Sequence, residues 1–164
     1  VTGVQTCALP IWGAELGAHN LMDRKAQVKL SGDPERICMH CNEICENCVS
    51  VCPNRANVAI QVPGRKEAQI LHLDYLCNEC GNCAAFCPYT SAPYKDKFTL
   101  FRNEEDFKDS ENQGFYVVNL KKKQVKVRLC GVERKFDLSK DNDLDKDIEL
   151  LILTVLRDNW KKIA

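Results

Sequence analysis

Apolar and polar residues alternate strictly over 124–130, with Val125, Val127 and Leu129 on one side and Lys126, Arg128 and Cys130 on the other. A period of two predicts a half-buried strand. Before it, 115–120 is β-branched and aromatic. After it, 134–138 makes a third short run, with breaks at Lys121 to Lys123 and at Gly131-Val132-Glu133. These three segments read as a small antiparallel meander. The rhythm then lengthens: Leu144, Ile148, Leu151, Ile152, Val155 and Leu156 are 4, 3, 1, 3 and 1 positions apart, which is one face of a helix. Acids precede that face and Arg157, Lys161 and Lys162 follow it, as the helix dipole favours. A terminal helix on a meander predicts an α+β appendage over 99–164. Its first stretch, 99–109, is charged, and Phe98, Phe101 and Phe107 are its candidate anchors. Nothing in the appendage looks catalytic.

Upstream, 58–62 and Gln69–Leu73 flank a Pro63-Gly64 turn and read as paired strands. The 12–37 segment has weak periodicity (Leu16, Leu21, Met22, Val28, Leu30) and a Gly32-Asp33-Pro34 turn. It reads as a linker or the end of an upstream domain. The opening VTGVQTCALPI has neither a basic n-region nor an apolar h-region, so it is no signal peptide. Back-translated, it resembles a DNA-sequencing adapter read in frame. That predicts that 1–11 is an artefact, that Cys7 has no role, and that the reading frame began inside a longer gene.

Charge adds little, because 23 basic residues balance 23 acidic ones. No net field draws the chain to nucleic acid or to an anionic membrane. No uncharged apolar run approaches the roughly 18 residues of a membrane span. The expected setting is cytoplasmic. Cysteine changes the picture, with 11 in 164 residues and nine of them between Cys38 and Cys87.

The second cysteine run, CNECGNCAAFCP, places Cys77, Cys80, Cys83 and Cys87 as C-x₂-C-x₂-C-x₃-C-P. This is the bacterial ferredoxin pattern, in which three thiolates on a tight loop wrap one [4Fe–4S] cluster and the fourth serves the neighbouring one. Gly81 suits the tight turn such a loop needs. The first run, CMHCNEICENCVSVCP, carries Cys38, Cys41, Cys45, Cys48 and Cys52, one cysteine more than the motif requires. Two readings stay open. Either Cys41, Cys45 and Cys48 form the loop and Cys38 is spare, or Cys38 and Cys41 act with Cys48 and Cys52 around an insertion holding Cys45. By the crossing rule one cluster takes three of Cys38, Cys41, Cys45 and Cys48 plus Cys87, and the other takes Cys77, Cys80 and Cys83 plus Cys52. The expected fold of 38–98 is a two-[4Fe–4S] ferredoxin-like domain.

Zinc would use C-x₂-C pairs separated by a longer stretch, and a disulfide framework would need an oxidising compartment. Neither suits four thiolates packed into twelve residues in the first run and eleven in the second, each ending in Cys-Pro. The stronger alternative is an iron–sulfur domain that is structural, or that senses oxidant or iron, without relaying electrons. Elsewhere, His40 reads as a solvated loop residue with an option to bond a cluster sulfur. His19 and His72 read as structural or surface residues, and Cys130 as a small residue near a sheet edge.

Two stretches, CVSVCPNRANVAI and CNECGNCAAFCPYTSAPYKDKFTLF, are more specific than a generic ferredoxin motif. They resemble the C-terminal part of the YgfK-type selenate reductase subunits, a family that looks like glutamate synthase small subunits joined to iron–sulfur motifs. Cys-Pro-Asn-Arg-Ala-Asn and Ala-Pro-Tyr-Lys-Asp-Lys-Phe carry most of the match. The resemblance implies a larger oxidoreductase with FAD and NAD(P)H sites upstream and a molybdenum hydroxylase subunit as partner. This chain has no G-x-G-x-x-G after a strand, so no flavin residue carries over.

Overall fold

The computed structural model describes residues 46–65, 68–87 and 91–159, the side chains of 158 and 159 excepted. The 1–11 and 12–37 segments, Cys38, Cys41, Cys45, His19 and His40 lie outside the described residues. Among the described residues no helix is long and apolar enough to cross a membrane.

Among the described residues six strands form one mixed sheet in sequence order. β1 (Asn57–Ile60) pairs antiparallel with β2 (Gln69–Leu73) across the Pro63-Gly64 turn, with Asn57 opposite His72. β2 runs parallel to β3 (Thr99–Leu100), and β3 parallel to β4 (Gly114–Asn119). β4, β5 (Gln124–Leu129) and β6 (Val132–Asp137) complete the sheet as an antiparallel meander. Parallel neighbours need long crossovers. The second cysteine run and α3 (Pro93–Asp96) fill the one from β2 to β3, and α4 (Glu104–Asp109) fills the one from β3 to β4. The strands on either side of the 98/99 division therefore share one sheet, and one apolar cluster spans both parts, from Ile60 and Leu71 to Ile152 and Val155.

The last hairpin turns at Cys130-Gly131, one residue earlier than the sequence reading placed it. Both residues are left-handed, with φ of 48° and 75°. That two-residue turn matches the strands' own twist, and glycine takes the positive φ without penalty. Cys130 is an exposed turn residue rather than a strand residue.

Alternation sorts the two faces. Leu71, Leu73, Leu100, Phe115, Val125 and Val127 face the helix α5 (Lys146–Thr154), which buries Ile148, Leu151 and Ile152 against them. Each such side chain contributes roughly 1.5–3 kcal/mol by leaving water. Asp145 starts α5 by accepting the amide protons of Asp147 and Ile148, satisfying two of the four donors a helix start leaves open. Ile70 and His72 point to the opposite face, towards the cysteine-bearing turns. β2 is therefore buried at all five positions.

The 99–109 stretch, read from sequence as charged and anchored by phenylalanines, holds a short strand and a helix. Asn103 caps α4 by accepting the Asp106 amide proton. Phe107 packs edge-on against Phe101 and Tyr116 at 5.3 and 5.2 Å. Arg128 sits on the nominally polar side of β5 but is only 7% exposed. Its guanidinium lies 4.1 Å from the Phe107 ring centre and donates to the carbonyls of Phe107 (2.6 Å), Ser110 and Asn112 (3.4 Å), and to Glu133.

Candidate functional site

Two one-turn helices, α1 (Asn47–Ser50) and α2 (Asn82–Ala85), repeat each other 35 residues apart. Each follows a left-handed residue, Glu46 with φ 51° or Gly81 with φ 79°. In each, that residue's carbonyl accepts the amide protons three and four positions on. Each carries a 7%-exposed cysteine second in the turn, Cys48 or Cys83. The sequence Asn-Cys-x-x-x-Cys is common to both, so Cys52 and Cys87 also correspond. A Cβ built on Gly81 would meet nothing within 4 Å. Among the described residues it is the turn, rather than crowding, that favours glycine there. The turns pack together through Ile70, and the Asn47 side chain donates to the Phe86 carbonyl at 3.5 Å.

Cys52, Cys77 and Cys83 share one electrostatic neighbourhood. Burial pushes the Cys77 thiol up; the Glu79 amide proton, 3.3 Å from the sulfur, opposes this, and Cys83 and Cys52 push it further up. Burial likewise raises Cys83, opposed by the Tyr94 amide, with Cys52 raising it again and the Ala84 amide and Asn57 side chain lowering it. Cys52, half-buried, accepts the Ala56 amide proton at 3.2 Å. The last cysteine of the first run thus acts electrostatically on two cysteines of the second. Cys87 is buried and Cys80 exposed, and none of the described cysteines is joined in a disulfide. No group of three or more His, Cys, Asp or Glu side chains among the described residues has an arrangement that would hold a metal ion.

Beside Cys77 opens a cleft of about 410 Å³, lined by His72, Asp74, Glu79, Tyr94 and residues of 106–112. Burial raises the Asp74 carboxyl, and Asp106, Glu79 and Asp109 add to the shift.

The chain is 56% identical over 93 residues, 56% of its length, to "Putative oxidoreductase YgfK" of Escherichia coli strain K12, and equally so to the protein of that name from strain O157:H7. The chain spans about 9% of the length of these curated relatives. No family model matches it, and no solved structure matches it.

Sequence reasoning passed over Asn57 and read His72 as structural or surface. Asn57 and His72 are 2% and 1% exposed, so His72 is a buried residue and not a surface one. His72 Nδ1 lies 2.9 Å from Asn57 Oδ1, and Asn57 Nδ2 donates to the Cys48 carbonyl at 3.1 Å. Burial lowers His72 to a pKa of about 4, so the ring is neutral at pH 7. The available signal was that His72 shares the strand face of Ile70, the side turned to the cysteines.

Proposed function

We propose that this chain is an iron–sulfur electron-transfer module of a larger oxidoreductase. In this reading it relays single electrons through two [4Fe–4S] clusters, between a flavin domain supplied upstream with FAD and NAD(P)H and a redox partner of the molybdenum hydroxylase kind. The observation that supports it best is the repeat of α1 and α2, each with a buried cysteine after a left-handed residue and packed together through Ile70. Burial and the nearby Cys52 raise the Cys77 and Cys83 thiols, which are poor thiolates alone. They become favourable once a cationic metal centre compensates their charge. Their partners fit such a centre, since amide protons of Glu79 and Ala56 point at sulfurs that would be electron-rich in the bound state.

Cys77, Cys80, Cys83 and Cys52 would hold one cluster. Cys87, with three of Cys38, Cys41, Cys45 and Cys48, would hold the other. The match of α1 to α2 aligns Cys45 with Cys80 in sequence, which favours Cys41, Cys45 and Cys48 as the loop and Cys38 as the spare. The clusters would supply one-electron redox chemistry. The chain's own residues bury the sulfurs, direct amide protons at them and keep the two half-sites side by side through α1, α2 and Ile70. None of the nine cysteines acts as a nucleophile, and no residue serves as a general base. The cytoplasm, where thiols stay reduced, suits this chemistry.

Anaerobic purification followed by iron and acid-labile sulfide assay tests the reading. About eight iron and eight sulfide per chain are expected from two cubanes. Colourless protein holding zinc refutes it. Loaded clusters that dithionite does not reduce would leave a structural or sensing domain in its place.

A further inference from the structure

The cleft beside Cys77 sets five carboxylates, Asp74, Glu79, Asp106, Asp109 and Glu111, against one ammonium, Lys95. Among the described residues none of the five joins an ion pair. His72 lines the same cleft and is only 1% exposed. Asn57 Nδ2 is committed to the Cys48 carbonyl at 3.1 Å, so the amide oxygen is the atom that meets His72 Nδ1 at 2.9 Å. An amide oxygen only accepts, so the ring proton sits on Nδ1 and Nε2 is a bare acceptor. Among the described residues nothing donates to Nε2. It nevertheless touches accessible space, and the cleft is the space that His72 lines. An enclosed acceptor without a donor costs free energy that a ligand's N–H would recover.

Ionised carboxylates and Nε2 alike accept hydrogen bonds and offer none, so the occupant must be a cation rich in donors. A metal ion does not suit them, since among the described residues no three His, Cys, Asp or Glu side chains are arranged to hold one. At about 410 Å³ the cleft falls within the size range of small-molecule sites, roughly 300–1,000 Å³. A guanidinium carries five N–H donors in one plane, enough for a ring nitrogen and two carboxylates at once, and it sheds water more readily than an ammonium. We propose that the cleft is a binding site for a guanidinium group, with His72 Nε2 accepting one of its N–H bonds and Asp74, Asp106 and Asp109 pairing with its charge. The group belongs either to a free small molecule or to an arginine of a partner chain. Asn57 is a positioning residue here, because its oxygen holds the proton on Nδ1 and keeps Nε2 an acceptor. The site does not depend on the iron–sulfur reading.

The test uses the full chain at pH 7 with reductant, followed by nitrogen NMR of His72 and by calorimetric titration. Methylguanidinium probes the group alone, acetyl-arginine-amide probes arginine within a chain, and methylammonium is the control cation. Methylguanidinium is expected to move the His72 Nε2 resonance saturably while the proton stays on Nδ1. Asp74→Asn and Asp106→Asn should each weaken binding about three- to fivefold. Asp141→Asn, an exposed position that does not line the cleft, should leave it unchanged. Binding of acetyl-arginine-amide as tight as that of methylguanidinium supports a partner's arginine as the source, and binding of methylguanidinium alone supports a free ligand. An equal response to methylammonium overturns the guanidinium assignment. An Nε2 resonance that does not move, or a proton found on Nε2, overturns the site. Where an aspartate variant does not fold, the wild-type His72 signal decides. Iron and sulfide content bears on the iron–sulfur reading alone, so the two fail separately.

Discussion

Replacing Arg128 with methionine keeps most of the aliphatic stem and deletes the guanidinium. The structure gives that group a short bond to the Phe107 carbonyl at 2.6 Å, another to Ser110, a long one to Asn112 at 3.4 Å and a seat over the Phe107 ring. A hydrogen bond from a charged donor contributes about 1.5–3 kcal/mol net, and an orphaned buried acceptor costs about 1–3 kcal/mol. The two good bonds, partly replaced by water at the Ser110 end, put the loss at about 3–4 kcal/mol. For a chain of this size that lowers Tm by about 10 °C. Urea denaturation and a thermal scan of the metal-free chain, with reductant, measure it. The control is Arg134→Met, which breaks an ion pair to Asp143 at 2.9 Å whose partners are 61% and 73% exposed. Such exposed pairs contribute little, so a change below about 0.5 kcal/mol is expected there. Arg128→Lys keeps the charge but not the planar fork, and should fall between the two. A loss below about 1 kcal/mol at Arg128→Met, or equal losses at Arg128 and Arg134, would refute the reasoning.

Gly114→Ala places a Cβ 2.1 Å from the Thr99 carbonyl oxygen, a backbone atom of the paired strand. The strands must separate, and a loss of about 3 kcal/mol or more by urea denaturation is expected, at the upper end for overpacking. His72 gives the chain an acid sensitivity. Its folded pKa of about 4 lies below the ordinary 6.5, so the unfolded chain takes up the proton first. The stabilising contribution is complete above pH 6.5 and is lost as pH falls towards 4, amounting to about 2 kcal/mol by pH 5. Denaturation at pH 7 and pH 5 should show this slope in wild type and lack it in His72→Gln; equal slopes would count against it. Cys52→Ala should cost the cluster held by Cys77, Cys80 and Cys83, leaving the other visible by EPR. Selective loss of the first-run cluster would overturn the crossed arrangement.

Local periodicity carried much of the fold. The alternation of Val125, Val127 and Leu129 marks β5, and the spacing from Ile148 to Val155 marks the buried face of α5. The pairing of β1 with β2 was legible from a Pro-Gly turn between two apolar runs. The parallel joins through β3 were not. Two residues, Thr99 and Leu100, are too few to show a period, and their pairing is fixed by segments distant in sequence. Arg128 looked solvent-facing because alternation reports a face, not what covers it. The cover is α4, whose Phe107 stood alone among charges. At the site the cysteine spacings were plain, whereas Asn57 and His72 gain meaning only once β1 meets β2.

Because β2 is walled on one side by α5 and on the other by the cysteine turns, its backbone is a shared partition and not a border. Cutting the gene after Phe98 to obtain a miniature redox carrier would strip away β3 and bare a row of amides and carbonyls along β2. Such a raw edge invites pairing with other chains. Engineers wishing to transplant the cysteine-bearing half would do better to carry the following strands and helix along with it.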